Sequence, residues 1–181
     1  MNLLFKYVFL MSLSLLSFTV QSKPFDVTGR VVYVDDGDTL VLLVNEQTQM
    51  KVRLSSIDAP ESSHTNKQTG RVGQPYSDNS TRYLASMVKG KGVNAHCFES
   101  DRYDRNVCEL FVNGYSVNRE MVKHGWAWAN VSAQGRYLRD KSLLASQSDA
   151  QSRRLGLWGG NRPVEPWMWR DVCWKQGQCS F

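Results

Sequence analysis

The sequence has little histidine, and its cysteines are not spaced as zinc ligands. His64, His96 and His124 are scattered along the chain without the spacing that metal ligands show. Zinc knuckles place two cysteines about two to four residues apart, and neither pair of neighbouring cysteines does so here. We therefore expect neither histidine chemistry nor a zinc site.

The sequence also lacks a second long apolar run after its N-terminal one. The N-terminal run, Val8 to Val20, follows Lys6 and precedes the cleavage pattern Val20-Gln21-Ser22. This arrangement is typical of a secretory signal peptide, and no stop-transfer segment follows it. A lipoprotein-type cysteine is absent from the cleavage site. We expect cleavage near Ser22-Lys23 and a secreted or periplasmic product that is monomeric and has no membrane association.

The length and charge of the chain set broad limits. The 181 residues are enough for about one domain with a sizeable core. The chain has 22 Lys and Arg against 17 Asp and Glu, and without Lys6 the balance is 21 − 17 = +4, a mild bias toward polyanions. No internal repeat or low-complexity tract is present. We divide the chain into a signal peptide (1–22), a main domain (23–160) and an extension rich in tryptophan and cysteine (161–181) that should pack on the domain.

All four cysteines lie after the expected cleavage site. An even number of cysteines in an exported chain favours two disulfides over free thiols. Four cysteines allow three pairings, and the sequence does not decide among them. We expect neighbours to pair, Cys97 with Cys108 and Cys173 with Cys179.

Hydrophobic periodicity predicts five strands and three helices. The first three strands form a meander, a helix follows it, and two strands come before the remaining helices. Polar residues 62–73 are predicted to form a mobile loop. The third helix should direct Leu138, Leu144, Ala145 and Ala150 inward. The predicted strands are 26–34, 39–44, 49–57, 92–99 and 106–112, and the predicted helices are 75–88, a short one from Ser116 to Gly125, and roughly 135–155.

This order of elements predicts a mainly β fold with helices. Five short antiparallel strands, interrupted by a helix after the third, match the five-stranded OB-fold barrel. We expect such a barrel with about three helices packed against it. OB-folds often bind nucleic acid, but a fold alone does not establish a function.

Acidic side chains and one arginine are concentrated between residues 33 and 61. The run Asp-Asp-Gly-Asp at 35–38 precedes the second predicted strand, and Asp58 and Glu61 follow the third. Alternation turns Arg53 away from the core, and a hairpin through Asn45-Glu46 would lay it beside residues 35–38. A lone Asp-Gly-Asp is most often only a turn. Two acidic loops that meet, however, suit calcium or magnesium, and a nearby arginine suits a phosphate.

Several separate blocks resemble the staphylococcal nuclease (thermonuclease) family, in the order in which that family has them. The resemblance runs from about residue 26 to residue 158 and supports the expectation of a five-stranded barrel. The blocks are Asp36-Gly37-Asp38-Thr39, Arg53-Leu54 with Ile57-Asp58-Ala59-Pro60-Glu61, Asp101-Arg102-Tyr103-Asp104-Arg105, Val117-Asn118 through Gly125, and Leu155-Gly156-Leu157-Trp158.

The resemblance implies a calcium-dependent, sugar-nonspecific nuclease that acts on DNA and RNA and leaves 3′-phosphates. The implied roles are metal binding by the side chains of Asp38 and Asp58 and the carbonyl of Ala59, catalysis by Arg53, Glu61 and Arg105, and substrate contact by Arg102 and Tyr103. Two positions depart from the family's pattern. Some members have threonine where this chain has Ala59, and a glycine is usual at the position of Asp104.

The chemistry of phosphodiester hydrolysis agrees with these roles. The reaction needs neutralisation of the phosphate charge, a deprotonated water and a stabilised leaving oxygen. Glu61 is placed after the metal ligands, where it could activate the water as a general base. Arg53 and Arg105 could clamp the phosphate from two sides. We interpret Asp36 as shaping the turn rather than as a direct ligand.

Two other functions are compatible with the sequence. One is a noncatalytic OB-fold module that binds nucleic acid, and the other is a calcium-stabilised periplasmic structural or interaction module. The presence of all three catalytic side chains and both acidic ligands favours the nuclease over both. Trp126 and Trp128, like the aromatic residues of 166–174, are expected to pack against the barrel rather than to stack on bases.

Overall fold

A closed five-stranded β-barrel forms the centre of the molecule. The computed structural model describes residues 23–63, 71–160 and 162–180. The strands are β1 (Phe25–Val34), β2 (Thr39–Val44), β3 (Thr48–Leu54), β4 (Ile57–Asp58), β5 (Gly92–Ser100), β6 (Asn106–Val112), β7 (Tyr115–Ser116) and β8 (Trp128–Ala129). The barrel strands β3, β2, β1, β5 and β6 pair antiparallel in that order, and a parallel pairing of β3 with β6 closes the barrel. The predicted fold class is confirmed.

Helices cover the barrel and continue into the C-terminal extension. They are α1 (Ser77–Val88), α2 (Val117–Lys123), the single turn α3 (Ser132–Gly135), α4 (Leu143–Ser152) and α5 (Pro166–Trp169). A 3-10 turn follows α4 at Gly156–Gly159, and a π-helical turn, Arg170–Lys175, continues α5. The Ser116 hydroxyl caps α2 by accepting the Arg119 N–H at 3.3 Å, which is the predicted cap. Helix α1 begins two residues after the predicted start, because Tyr76 has a left-handed backbone with φ 69°.

Alternate side chains of the barrel strands and one face of each main helix form a single core. The alternation that predicted the strands therefore also selects the buried residues. The fully buried apolar side chains include Val31, Leu40, Leu42, Val52, Leu54, Leu84, Leu110, Met121 and Leu143. Trp128 is 3% exposed and meets Trp158 edge to face, and the half-buried Trp126 packs against the core.

The hairpin between β2 and β3 sets the position of Arg53. Its turn contains Asn45 and Glu46, both with positive φ, as a tight hairpin turn requires. The resulting register places Arg53 directly opposite Thr39, at the end of β2 nearest the acidic loop. The predicted hairpin is therefore confirmed.

The third predicted strand, 49–57, is wrong at its end. Strand β3 stops at Leu54, Ser56 takes a left-handed backbone with φ 64°, and β4 then pairs with β8 outside the barrel. The cause is tertiary, because the Ser56 hydroxyl accepts the backbone N–H groups of Arg139 and Asp140 at 2.9 and 3.1 Å. The break matters because it turns Asp58 away from the line of β3.

The third predicted helix, 135–155, is also wrong, since α4 spans only Leu143–Ser152. The bonds to Ser56 hold residues 139 and 140 in place, and the Asp140 carboxylate accepts the backbone N–H and the hydroxyl of Ser142 at 2.9 and 2.6 Å. With this start, Leu143 and Ala150 are buried, while Leu144 and Ala145 are exposed. The inward direction predicted for Leu144 and Ala145 is thus incorrect.

The C-terminal extension contacts the segment that leads into α1. The indole N–H groups of Trp169 and Trp174 donate to the Val72 carbonyl at 3.2 and 2.9 Å. The Gln74 side chain donates to the Val164 carbonyl at 2.5 Å. A disulfide, Cys173–Cys179, closes the extension on itself, and Cys97–Cys108 joins directly opposed residues of β5 and β6.

Two sequence predictions fall wholly or partly outside the described residues. They are the signal peptide, residues 1–22, and residues 64–70 of the predicted loop, which include His64. Within 23–63, 71–160 and 162–180, no helix has the length and apolar character needed to cross a bilayer.

Candidate active site

The loop between β1 and β2 presents Asp38 from a buried position. Asp36 accepts the backbone N–H of Asp38 at 2.9 Å and so shapes the turn. Asp38 itself is 2% exposed. Gly37 has no room for a side chain, since a Cβ there would lie 2.0 Å from the Ser80 hydroxyl and 2.6 Å from the Ala59 Cβ. The acidic loop is therefore packed tightly between α1 and the chain that follows β4.

A second carboxylate, Asp58, lies beside the first. It is fully buried on β4, whose pairing with β8 fixes it opposite Trp128. The next residue, Ala59, donates its backbone N–H to Asp38 Oδ2 at 2.8 Å, which joins the two acidic loops directly. The hairpin and the break after β3 together bring these loops into contact.

Arg53 bridges the two carboxylates. Its Nη2 lies 2.6 Å from Asp58 Oδ1, and its Nη1 contacts Asp38 Oδ1. Burial alone would raise the pKa of Asp58, but the guanidinium groups of Arg53 and Arg170 prevail and hold the pKa below its usual range. Burial raises the pKa of Asp36, with Arg53 and Arg105 opposing the rise.

Glu61 follows β4 and is tied down by its main chain. Its N–H donates to the Gln74 side chain at 3.2 Å, and its carbonyl accepts the Gln74 N–H at 2.7 Å. Its carboxylate is 19% exposed and forms an ion pair with Arg170. Burial raises the pKa of Glu61, and the charge of Arg170 acts in the opposite direction.

Arg170 enters the site from the C-terminal extension. Its Nη2 lies 2.7 Å from Asp58 Oδ2, and its Nη1 lies 3.2 Å from Asp58 Oδ1 and also donates to Glu61. No role for this residue could be predicted from the sequence. It directly follows the aromatic residues of the extension, and no local pattern links such an arginine to Asp58.

Arg105 lies at the edge of the acidic loop, on the connection between β5 and β6. Its Nε and Nη2 bind Asp101 Oδ2 at 2.8 and 2.7 Å, and its Nη1 donates to the Thr39 hydroxyl at 3.2 Å. Thr39 in turn donates to Asp38 Oδ1 at 3.1 Å, which connects Arg105 to the acidic pair. Asp104 has φ 59°, a left-handed backbone that glycine would adopt without strain.

Arg102 and Tyr103 form an exposed pair next to Arg105. Arg102 Nη2 donates to the Tyr103 hydroxyl at 2.8 Å, and Tyr103 is 60% exposed. The Arg105 guanidinium lies 5.4 Å from the Tyr103 ring centroid. The structure thus places this pair at the rim of the site, in contact with solvent.

The donors at the centre of the site are oxygens. In the part of the chain that the structure describes, no three or more His, Cys, Asp or Glu side chains are grouped as metal ligands. The available set is instead two buried carboxylates, Asp38 and Asp58, with the nearby main chain of Ala59. Hard oxygen donors from two loops fit calcium or magnesium rather than zinc.

The chain is similar to known proteins. A family model described as "Staphylococcal nuclease homologue" matches residues 51–160. The chain belongs to the staphylococcal nuclease family. This membership supports the predicted enzyme class, a nuclease hydrolase. The matched residues include Arg53, Asp58, Glu61 and Arg105, whereas Arg170 lies beyond them.

Individual members of the staphylococcal nuclease family align over most of the chain. An "Uncharacterized endonuclease" of Haemophilus influenzae is 38% identical over 143 residues, which cover 79% of this chain and 72% of that protein. A protein of the same description from Escherichia coli O157:H7 is 36% identical over 146 residues, covering 80% and 86%. A "Micrococcal nuclease" of Shigella flexneri is 34% identical over 157 residues, covering 80% and 81%.

Proposed function

We propose that the protein is a calcium-dependent, sugar-nonspecific nuclease that hydrolyses phosphodiester bonds of DNA and RNA and leaves 3′-phosphates. The observation that carries this proposal is the contact between two acidic loops, with Arg53 shared by Asp38 and Asp58 and Glu61 beside them. The names of the relatives, endonuclease and micrococcal nuclease, support the same activity. A module that only binds nucleic acid would not need this set of groups.

Calcium would be held by the carboxylates of Asp38 and Asp58 and the carbonyl of Ala59. Arg53 and Arg170 already pair with these carboxylates, so the support for this assignment is the chemistry of the donors, since carboxylate and carbonyl oxygens brought together from two loops are the hard ligands that calcium prefers. Bound calcium would supply a positive charge that polarises a nonbridging oxygen of the phosphate. The metal dependence that the sequence resemblance implies is consistent with the buried oxygen donors present here.

Glu61 would accept a proton from the attacking water. Its carboxylate is near the rim of the site, where water can reach it, and its main chain is fixed by Gln74. A carboxylate whose pKa is raised by burial is a better base than an exposed one. Its position next to the two metal ligands suits a water that attacks a phosphate held between them.

Arg53 and Arg105 would bind the phosphate and stabilise the charge that grows in the transition state. Each guanidinium already binds carboxylate oxygens, and phosphate oxygens accept the same two-point hydrogen bonds. Both arginines reach the Thr39 end of the acidic loop, Arg53 from the opposed position on β3 and Arg105 through the Thr39 hydroxyl. Arg102 and Tyr103 would contact the rest of the substrate from the rim.

We further propose that the protein acts after export, as a monomer, with the domain at 23–160 and the extension at 161–181 folded together. The two disulfides support an oxidising compartment, the periplasm or the medium. The N-terminal sequence pattern described above supports secretion by the same route.

An assay with purified protein and DNA or RNA tests the proposed function. We expect both polymers to be degraded with calcium, no cleavage in EGTA, and recovery when calcium is restored in excess. Magnesium should be a poor substitute. The ends of the products should carry 3′-phosphates, detected by release of phosphate with a 3′-phosphatase. Binding of nucleic acid without cleavage would identify a noncatalytic module, and full activity in EGTA would contradict the roles of Asp38 and Asp58.

A further inference from the structure

Arg170 connects the C-terminal extension to both carboxylates at the catalytic end of the site. Among the described residues it is the only cation that pairs with Glu61, and it also binds both oxygens of Asp58. Its side chain is 34% exposed, whereas that of Asp58 is 1% exposed. The guanidinium therefore lies between the interior and the rim, where substrate would enter.

The extension has other anchors besides Arg170. Trp169 is 3% exposed, its indole N–H and that of Trp174 bind the Val72 carbonyl, and Gln74 holds the Val164 carbonyl. The π-helical turn begins at Arg170. π-Helical turns are rare and are frequent at functional sites.

The shared contacts fix one carboxylate relative to the other. Asp58 is held by the pairing of β4 with β8, so it is a rigid reference point. Glu61 carries the same charge three residues later and would be repelled by Asp58. Arg170 offsets this repulsion, and its two contacts set where the Glu61 carboxylate lies.

We propose that Arg170 is a positioning residue for the reaction, acting through Glu61. It holds the Glu61 carboxylate at a fixed place beside Asp58, so that Glu61 meets the attacking water in a productive orientation. The inference rests on the proposed function and adds a residue from the extension to the catalytic arrangement. A misplacement of about 1 Å at such a base can cost on the order of a hundredfold in rate.

A double-mutant cycle tests this role. We expect Arg170→Ala to lower kcat by about 10- to 100-fold while KM changes by less than about threefold, since substrate contacts remain. Arg170→Lys should recover only part of the loss. Lysine restores the positive charge, but its ammonium group cannot bind two carboxylates as the planar guanidinium does. In a Glu61→Gln background, Arg170→Ala should cause no further loss of kcat, since no carboxylate remains to be positioned.

Lys175→Ala is the matched control. Lys175 lies on the same extension and pairs with the exposed Asp171, so its removal takes away one positive charge without touching the site. It should keep wild-type kcat and KM. Circular dichroism and melting temperature establish that each variant is folded. If Arg170→Ala does not fold, the comparison of Arg170→Lys with and without Glu61→Gln provides the same cycle.

Three results would overturn the inference. They are a wild-type kcat for Arg170→Ala, a higher activity that would mark Arg170 as inhibitory, and an equal loss in both backgrounds that would mark a role independent of Glu61, through Asp58 or through substrate. A wild-type protein without nuclease activity would instead overturn the proposed function, and the inference with it. An active wild type with an unaffected Arg170→Ala variant overturns the inference alone.

Discussion

Single residues of the site act through shared charges rather than isolated pairs. Arg53 contacts Asp38 and Asp58, and Arg170 contacts Asp58 and Glu61, so Asp58 belongs to both sets. Removing one member of a buried ion pair leaves the other uncompensated, at a cost of about 3–5 kcal/mol. Substitutions that keep the shape of a side chain are therefore the informative ones here.

Glu61→Gln keeps the shape of the side chain and removes its basicity. We expect kcat to fall by about two to four decades, roughly 3–5 kcal/mol, because a positioned general base contributes that much. Binding of nucleic acid, measured by fluorescence anisotropy, should be retained. Glu46→Gln, in the exposed β2–β3 turn, is the matched control and should behave as wild type. A Glu61→Gln enzyme within about threefold of wild type would remove Glu61 from the mechanism.

Gly37→Ala tests the packing of the acidic loop. The added Cβ would lie 2.0 Å from the Ser80 hydroxyl, which donates to the Trp126 carbonyl at 2.7 Å, and 2.6 Å from the Ala59 Cβ. We expect a loss of about 1–3 kcal/mol in the free energy of unfolding, as overpacking produces, and a lower kcat because Asp38 moves with the loop. Gly92→Ala, where a Cβ meets nothing within 4 Å, is the control for urea denaturation. Equal stability of the two variants would contradict the packing argument.

At the scale of elements, the disulfide between β5 and β6 lies next to the connection that carries Arg105. Cys97 and Cys108 are both fully buried in the core and directly opposed across the strands. Arg105 stands three residues before Cys108, and Asp101 holds its guanidinium from the other side of the same connection. The bridge thus limits how far the two strands can separate where Arg105 is presented.

A Cys97→Ala, Cys108→Ala double variant should lose stability and activity. The bridge spans 11 residues in sequence, which corresponds to roughly 2–3 kcal/mol in the chain-entropy description. We expect a folded protein with a lower kcat, measured well below both melting temperatures. Cys173→Ala with Cys179→Ala removes the other disulfide, which lies in the extension, and gives the comparison for stability. An unchanged kcat in the Cys97 and Cys108 variant would show that the bridge only stabilises the barrel.

The sequence predicted well those elements whose formation depends on residues that are close together in the chain. Alternation gave the five barrel strands, and Asn45-Glu46 gave the hairpin that places Arg53 opposite Thr39. The end of β3 and the start of α4 were mispredicted because both depend on Ser56, whose hydroxyl binds residues more than eighty positions away. The hydrophobic periodicity of a single segment cannot predict a contact with a distant segment.

The same distinction applies to the site. The acidic loops and Arg53 could be brought together from the sequence, because two adjacent strands and their ends carry them. Arg170 could not, since its contact with Asp58 joins residues 112 positions apart. The resemblance to the family named Arg105 in advance, and the structure adds that Asp101 and Thr39 hold it.

At the scale of the whole molecule, the site joins separate parts of the chain. Binding of a metal there should therefore raise the free energy of unfolding of the whole protein. Calcium that binds only the folded form raises the free energy of unfolding, by about 2.7 kcal/mol when its concentration is 100 times Kd. We expect calcium to raise the melting temperature, EGTA to reverse the effect, and magnesium to give a smaller one. Sodium chloride of equal ionic strength controls for screening. An equal shift in an Asp38→Asn variant would place the ion elsewhere.

The position of Arg170 in the sequence also determines when its contacts can form during synthesis. A polypeptide leaves the ribosome with its N-terminal end first. The strand pairing that closes the barrel needs residues only as far as 108, whereas the ion pairs to Asp58 and Glu61 need residue 170. The paired strands are therefore synthesised before the arginine that completes these ion pairs. The enzyme lacks its full set of charges until residue 170 has been made.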